Sequence, residues 1–392
     1  MNYMKGNLFL VAVVAAGLLT ACNEGKKSGG TVAEDLVTED SVAQSEVVPE
    51  AAPEYDLEAL ARVIDGAETV MGFSEGRASV ENADEKVGVI DKMGNVVIPF
   101  EYGYSVFRYS DGVICCVSTN DKWNYFDREG KLLFSSTDGG PSQFHDGFAC
   151  KYSSEAGKYY FIDKKGEKAF GGKMWEWADD FSDGMASVFD GRGWGFINTE
   201  GELVIPCKYD SAAEQNPGGF SEGLAAVVIV PERDLFGYID KTGKQVFPNL
   251  YFADTQFSEG LAWVWDRESQ RYGYIDKTGK LVIKLEQNWN GDSFHEGLAL
   301  VRMGGNKQGF IDTTGKLVID LGEEYDEAFQ FQEGLARVRK DKSYGFIDTT
   351  GKLVIPCEYT SCYEDFSEGL VPAKKGEKWG YIARDGKSTF DF

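Results

Sequence analysis

The segment F-S-E-G-L-A-A-V at residues 220–227 decides the fold, because close copies of it return throughout the chain. It reads F-S-E-G-R-A-S-V from Phe73 and F-S-E-G-L-A-W-V from Phe257. Nine copies occur at intervals of 35 to 39 residues, and a fixed period in this range is the signature of a tandem-repeat architecture. The nine copies begin at Phe73, Tyr109, Phe144, Phe181, Phe220, Phe257, Phe294, Phe331 and Phe366.

Two further phrases follow each copy of the first. One reads W-G-F-I-N-T-E-G from Trp194 and Y-G-Y-I-D-K-T-G from Tyr272, and the other reads K-L-V-I from Lys280. The aromatic and β-branched residues of these phrases favour strands. The D-K-T-G segment at 276–279 is typical of a hairpin turn, in which Asp bonds its own backbone and Gly adopts a positive φ. We therefore expect three short antiparallel strands in each repeat, and either positive φ or a close backbone approach at the glycine of the first phrase.

A single unit of this size cannot bury its own apolar face, so neighbouring units must cover each other. The sequence thus predicts an all-β tandem array of nine units. A closed β-propeller usually has four to eight blades of four strands, which nine three-stranded units fit poorly. We expect an open, twisted β-array, with the propeller as the alternative.

The three phrases together resemble the WG-repeat family, which is named for its Trp-Gly pair. The resemblance runs from about residue 67 to the end of the chain, although the pair itself survives only at Trp194-Gly195 and Trp379-Gly380. It implies a β-repeat module of a kind often carried by exported bacterial proteins, with no shared enzymatic activity.

The amino terminus has the pattern of an export signal. Lys5 precedes an apolar run from Leu8 to Leu19, which is too short to span a bilayer as a mature helix. The sequence L-T-A-C ending at Cys22 resembles the lipobox of bacterial lipoproteins. The resemblance implies that residues 1–21 are a signal peptide and that Cys22 carries the acyl chains of a membrane anchor. An ordinary secretory signal with an incidental cysteine is the alternative.

The residue after the lipobox cysteine is Asn23, not Asp. By resemblance to lipoproteins of enteric bacteria, this favours the outer membrane, facing either the periplasm or the cell surface. Residues 22–66 are polar and acidic at their start, a composition that cannot bury enough surface to fold alone. We interpret them as a flexible tether. Residues 67–392 then form the nine repeats.

The overall composition excludes several functions. The net charge of −24 argues against nucleic-acid binding, which needs a basic surface. The chain has only two histidines, His145 and His295, at the same position of two repeats, so a histidine-based zinc site or a catalytic triad is not expected. The acids recur at fixed positions beside turn glycines and are expected to be structural. We expect no enzymatic activity, cofactor or metal.

Two cysteines occupy equivalent positions in neighbouring repeats. Cys115 and Cys150 both follow the turn glycine of the first phrase, and the periplasm permits disulfides. They could form a bridge, or each could be a small buried apolar side chain. The sequence leaves both alternatives open.

Five tryptophans lie outside the Trp-Gly position, and these are the candidate ligand-binding residues. They are Trp175, Trp177, Trp263, Trp265 and Trp289. Trp263 and Trp265 are two residues apart and so share one face of a strand. Exposed rings could stack on sugars or anchor a protein, whereas the alternative for each ring is core packing.

The sequence therefore predicts a non-enzymatic interaction scaffold at the cell envelope. Its expected partners are the membrane, through Cys22, and another macromolecule. A glycan-binding surface lipoprotein is the first alternative, and a purely structural spacer is the second.

Overall fold

The computed structural model describes residues 54–105, 108–118, 120–138, 140, 142–209, 217–230, 235–248, 251, 255–266 and 269–392. The predicted signal peptide, Cys22 and the first part of the predicted tether lie outside these residues. The chain from Ala52 to Phe392 forms one compact unit.

The described chain is almost entirely β-structure. It begins with one helix, α1 (Leu57–Val63), and contains short 3-10 turns at Phe170–Gly172 and Thr389–Asp391. In repeats one to five the strands are β1 Thr69–Val70, β2 Arg77–Glu81, β3 Val87–Asp91, β4 Val96–Tyr102, β5 Tyr104–Ser105, β6 Ile114–Val117, β7 Trp123–Phe126, β8 Leu132–Ser136, β9 Phe148–Ser153, β10 Lys158–Asp163, β11 Trp177–Ala178, β12 Met185–Phe189, β13 Trp194–Asn198, β14 Leu203–Tyr209, β15 Leu224–Val230 and β16 Leu235–Asp240. In repeats six to nine they are β17 Leu261–Asp266, β18 Arg271–Asp276, β19 Leu281–Lys284, β20 Asn290–Gly291, β21 Leu298–Arg302, β22 Gln308–Asp312, β23 Leu317–Gly322, β24 Glu327–Gln332, β25 Leu335–Lys340, β26 Ser343–Asp348, β27 Leu353–Tyr359, β28 Leu370–Lys375 and β29 Lys378–Ala383.

Each repeat forms one small antiparallel sheet in which strands that follow each other in sequence pair with each other. The described residues form nine such sheets. Five of them have four strands: β1–β4, β5–β8, β11–β14, β20–β23 and β24–β27. The expected three strands per repeat are thus too few for these five. The additional first strand is short, and segments such as Asn290–Gly291 lack the residue types by which strands are recognised.

The glycine of the first phrase adopts a positive φ in all nine repeats, as predicted. In the fifth repeat Ser221 and Leu224 exchange backbone hydrogen bonds of 2.9 and 3.1 Å around Glu222 and Gly223. Both central residues have positive φ, 52° and 85°, which defines a two-residue type I′ hairpin. The acidic residue of this turn is therefore left-handed as well, which the sequence analysis did not predict.

The core lies in the gaps between neighbouring sheets. There the first residue of one repeat packs on the aromatic residue that follows the Trp-Gly position in the preceding repeat, as Phe257 does on Tyr238 with ring centroids 5.0 Å apart. Hydrophobic clusters of described residues fill nine such gaps. An open row of nine sheets has only eight gaps between neighbours, so the ninth cluster requires a closed arrangement.

The ninth cluster joins the last sheet to the first. Phe73 packs on Tyr381 at 5.0 Å, and the Tyr381 hydroxyl donates a hydrogen bond of 2.8 Å to the Met71 carbonyl. The sheets therefore form a ring that resembles a β-propeller, and the open array expected from the sequence was wrong. The physical reason has two parts. The rotation between successive sheets brings the first and last sheets together, and their facing surfaces are complementary, so contact between them buries both.

Helix α1 covers this closing gap. Its N-cap is Asp56, whose carboxylate accepts the Ala59 N–H at 2.9 Å, and Leu60 and Ile64 are buried against Leu370. Residues 57–63 were assigned to the flexible tether, and this part of the assignment was wrong. The composition of residues 22–66 is averaged over a polar start and an amphipathic end, which conceals the helix.

Candidate functional site

The ring has two faces that differ in chemistry. One carries the acid–glycine turns of the first phrase together with the D-x-x-G turns of the second. The opposite end of each sheet carries the residue at the Trp-Gly position and its cross-strand neighbour, such as Tyr159 and Tyr152. We call these ends the turn face and the aromatic face.

On the turn face, each acid of the first phrase accepts a hydrogen bond from the turn glycine of the next repeat. Glu222 accepts from the Gly260 N–H at 3.0 Å, and Glu259 accepts from the Gly297 N–H at 2.8 Å. The same bond recurs at Glu75, Asp111, Asp146, Asp183, Glu296, Glu333 and Glu368. These carboxylates are committed to the backbone, which is the structural role expected of them.

Five of these carboxylates also contact a cation of the following repeat. The pairs are Glu75–Arg128, Asp111–Lys164, Asp183–Lys241, Glu222–Lys277 and Glu368–Lys92, at 2.7 to 3.3 Å. Threonine stands at the cation position beside three others, at Thr199, Thr313 and Thr349. The turn face is therefore only partly neutralised.

The closing gap contains the most buried acid–arginine contact. Glu364 forms an ion pair with Arg108 and accepts the Gly72 N–H at 2.6 Å. Burial raises the pKa of the Glu364 carboxyl, and the Arg108 charge opposes that rise. The neighbouring Asp365 contacts Arg337 at 3.3 Å. Glu364 thus joins the ninth repeat to the first two, and Asp365 joins it to the eighth.

The five candidate tryptophans do not form one site, because the structure places them in two groups on different repeats. Trp175 exchanges backbone hydrogen bonds of 2.8 Å with Tyr159 of the third sheet, whereas Trp177 belongs to β11 of the fourth. Trp177 is 45% exposed and Trp175 only 6%. Trp175 packs in the core with Lys173 over its ring at 4.1 Å. Trp175 is thus a core residue, whereas Trp177 is available at the surface.

The second group lies at the sixth and seventh sheets. Trp263 stacks on Tyr272 at 4.7 Å with an interplanar angle of 13°, and Trp265 packs edge-on against the same ring at 4.7 Å. This confirms that Trp263 and Trp265 share one face of their strand. We call Trp263, Tyr272 and Trp265 the tryptophan sandwich. Trp289 is half-buried against the cluster that also contacts Trp263.

The first group extends further than the sequence indicated. Tyr152 and Tyr159 are cross-strand partners with rings 5.1 Å apart, and Tyr159 lies 4.7 Å from Trp177. We call these three residues the aromatic row. It spans two sheets, because Trp177 belongs to β11 of the fourth sheet. Two of its rings, Tyr152 and Trp177, are 44% and 45% exposed. The sequence signal that could have revealed this row is the pair of aromatic residues Tyr152 and Tyr159, one on each strand of the same hairpin.

Lys151 is a functional candidate that the sequence analysis missed. It replaces the valine of the first phrase and is only 2% exposed. Its Nζ lies 3.3 Å from the Tyr125 hydroxyl and 5.2 Å from the centre of the Trp123 ring, and it has no carboxylate within ion-pair distance among the described residues. Burial lowers the pKa of Lys151 to about 8.

The cysteines at the equivalent positions do not bridge. Cys115 and Cys150 are both free thiols. Cys115 belongs to the cluster between the second and third sheets, and Cys150 packs against the cluster between the third and fourth. The two side chains thus point into different gaps, on opposite sides of the third sheet. Burial raises the pKa of the Cys115 thiol to about 12.

Two open depressions of the described surface measure about 390 Å³ beside Tyr102 and about 470 Å³ beside Tyr55, and no tryptophan lines either of them. Within the described ranges, no group of three or more His, Cys, Asp or Glu side chains is placed to hold a metal ion. None of the helices in that part of the chain is long and apolar enough to cross a bilayer.

Comparison with known families agrees with the repeat pattern. The family described as "WG containing repeat" matches residues 88–123, 194–229, 236–264, 272–306, 309–343 and 344–379, together more than half of the chain. The chain belongs to the WG-containing repeat family. No curated protein matches it in sequence.

Several solved structures share a general likeness with this WG-repeat protein. BamB from Moraxella catarrhalis is 9% identical, with 69% of this chain and 87% of that chain covered and a TM-score of 0.41. A eukaryotic initiation factor is 11% identical, with coverage of 82% and 86% and a TM-score of 0.43. Kluyveromyces lactis Hsv2 is 8% identical, with coverage of 63% and 92% and a TM-score of 0.36. At these identities and scores nothing about function follows.

Proposed function

We propose that this WG-repeat protein is a non-enzymatic binding module that acts as an interaction scaffold at the bacterial cell envelope. The observation that carries the proposal is the contrast between the two faces of the ring. The acids of the turn face are occupied in bonds that join the repeats, whereas the aromatic face leaves large rings exposed. Exposed aromatic side chains contribute strongly to binding when a partner covers them.

The chemistry of the remaining polar groups supports binding rather than catalysis. Glu364 and Asp365 are each paired with an arginine, and the acids of the turns accept backbone N–H groups. A general acid or base needs a proton-transfer position facing a substrate, and these groups face their structural partners. The ring therefore serves as a rigid support on which surface residues present a ligand-binding area.

The proposal places the ring on a membrane through Cys22. The support comes from the sequence alone: an apolar run that ends at L-T-A-C, followed by an acidic segment that can hold the ring away from the bilayer. Two or more acyl chains on Cys22 are sufficient for stable anchoring, because each buried methylene contributes about 0.8 kcal/mol. Asn23 at the next position favours the outer membrane by resemblance.

Anchoring is tested by labelling cells with a radioactive fatty acid while they express the full chain. We expect the wild-type protein to carry the label and to be found in the outer-membrane fraction. The Cys22→Ser variant should lose the label and leave the membrane fraction, while Cys207→Ser should keep both. An unlabelled wild-type protein would contradict the anchor.

Binding is tested with the full mature chain, immobilised and exposed to solubilised envelope components. We expect retention of a macromolecule that is reduced when Trp177 and Trp265 are both replaced by Ala. The matched control is Leu132→Ala, which removes an exposed apolar side chain (48% exposed) from an outer strand. Equal retention by the double variant and the wild type would contradict binding through the aromatic face.

A further inference from the structure

The aromatic row has the dimensions of a narrow binding strip. Its three rings, Tyr152, Tyr159 and Trp177, follow one another with centroid distances of 5.1 and 4.7 Å. A specific protein–protein interface needs about 800 Å² on each partner, and one line of three rings supplies only a small part of that area. The strip fits a thin, elongated ligand better than the broad surface of a folded protein.

The row is twisted rather than flat. Tyr152 and Tyr159 are inclined to each other by 59°, and Tyr159 and Trp177 by 41°. A ligand that contacts all three rings must turn its own contact surface from one unit to the next. A single soluble chain of pyranose rings can do this, because rotation about each glycosidic bond reorients the next sugar, whereas a flat crystalline surface cannot.

Hydrogen-bonding groups border the row on the side of the fourth sheet. The indole Nε1 of Trp177 donates to Asp179 at 3.1 Å, which fixes the ring, and the second Asp179 oxygen accepts from Ser187 at 2.5 Å. Next to it, Glu176 and Lys158 form an exposed ion pair at 2.8 Å.

The charge of these neighbours determines which chain fits. Asp179 holds the Trp177 indole and Glu176 precedes it in the chain, Lys158 is the nearby cation, and the whole protein carries a net charge of −24. An acidic polysaccharide would be repelled by this surface. Neutral sugars, in contrast, offer apolar C–H faces to the rings and hydroxyl donors to the carboxylates.

From this geometry we infer that the aromatic row binds a soluble, neutral glycan chain, with pyranose rings stacked on the exposed rings of Tyr152 and Trp177 and with Tyr159 packed between them as their support. The inference rests on the proposed binding function and names its ligand class. It assigns the glycan to the row rather than to the tryptophan sandwich, because Tyr152 and Trp177 are exposed, whereas Trp263 and Trp265 are partly buried.

The test is isothermal titration of the full mature chain with three neutral hexasaccharides: cellohexaose, laminarihexaose and maltohexaose. At least one should bind, and hexagalacturonate, an acidic hexasaccharide, should not. Replacing Trp177 by Ala should weaken binding by about tenfold or more, because a full aromatic contact is lost. Trp177→Phe should restore part of the affinity, which separates stacking from folding.

The matched control is Tyr363→Ala, which removes a 76% exposed ring that makes no ring contact with other described residues. It should bind the sugar as the wild type does. Binding of none of the three sugars, or equal binding by Trp177→Ala and the wild type, would overturn the inference. If envelope proteins were still retained through Trp177 and Trp265 in that case, the glycan inference alone would fail and the proposed binding function would stand.

Discussion

The carboxylate of Glu368 accepts the backbone N–H of Gly76 at 2.9 and 3.1 Å, although 292 residues separate the two. The same bond joins each of the eight remaining pairs of consecutive repeats, so Glu368 and Gly76 complete a closed belt of nine carboxylate–glycine contacts. Each acid has a left-handed backbone in its own turn, and its carboxylate accepts a hydrogen bond from the turn of the next repeat. The belt therefore couples local hairpin geometry to the closure of the ring.

The first prediction concerns this closing contact. Glu368→Ala removes the acceptor for Gly76 and the partner of Lys92, so we expect a loss of about 1–3 kcal/mol in the free energy of unfolding. Hydrogen exchange should also rise in β2 and β28, the strands on either side of the closing gap. In Glu259→Ala, the matched control, exchange should rise between the sixth and seventh sheets instead. Unchanged exchange at the closing gap in Glu368→Ala would contradict a closed belt.

The second prediction concerns the buried lysine. Burial lowers the folded-state pKa of Lys151 from 10.5 to about 8. Between these values the unfolded chain holds the proton and the folded chain does not, so stability rises with pH across that window and the cost is fully present below pH 8. The shift corresponds to about 3 kcal/mol. Lys151→Met should raise the free energy of unfolding at pH 7 by up to this amount.

The pH dependence separates this cause from ordinary packing. The advantage of Lys151→Met over the wild type should shrink as the pH is raised from 8 towards 10.5, in chemical denaturation at each pH. Lys122→Met replaces an exposed lysine next to Trp123 of the second sheet, the ring that Lys151 contacts from the third sheet, and should have little effect at any pH. A constant advantage of Lys151→Met across this range would contradict the desolvation account.

The third prediction concerns a substitution that adds a cation to the turn face. Glu296 has a threonine, Thr349, at the position where Glu222 has Lys277. Thr349→Lys should stabilise the protein by about 0.3–1 kcal/mol at low ionic strength, as is usual for an exposed ion pair. The gain should disappear in 1 M salt, where the screening length is about 3 Å. If the gain were independent of salt, or absent at low salt, the positional equivalence of Thr349 and Lys277 would be wrong.

The fourth prediction concerns the cysteines. All six cysteines after Cys22 are free thiols, and burial raises the pKa of Cys115 and of Cys116 to about 12. In a non-reducing denaturant, all six should therefore react with a thiol reagent. The native protein at pH 8 should leave Cys115 and Cys116 unmodified, because their thiolate forms are not populated. Fewer than six reactive thiols in the denaturant would indicate a bridge that this structure does not contain.

The repeats, their strands and their turns could be predicted from the sequence because each rests on local chemistry. Gly223 and its equivalents were expected at positive φ and have it, since a two-residue hairpin demands this of its second residue. The extra strand of five sheets was not predictable, because Asn290–Gly291 is a strand only through its pairing with β21.

Closure could not be predicted because it depends on an angle rather than on a residue type. Each repeat has the same phrases whether the array is open or closed, and only the accumulated rotation brings Phe73 onto Tyr381. The candidate site was predicted in part for a similar reason. Trp177 and Trp265 are visible as departures from the repeat, but the row needs Tyr152 and Tyr159, which look like ordinary strand residues.

The closed ring is the central claim, and the distance between its first and last repeats tests it most directly. Spin labels carried by an unnatural amino acid at Asp84 and Glu377, both exposed in hairpins of the first and ninth sheets, would report that distance by pulsed electron resonance. In a closed ring the first and ninth sheets are neighbours, so the labels should be separated by the spacing of about 10 Å between the sheets plus the reach of the labels. An open array would place eight such spacings, about 80 Å, between the labels, and that result would contradict the ring.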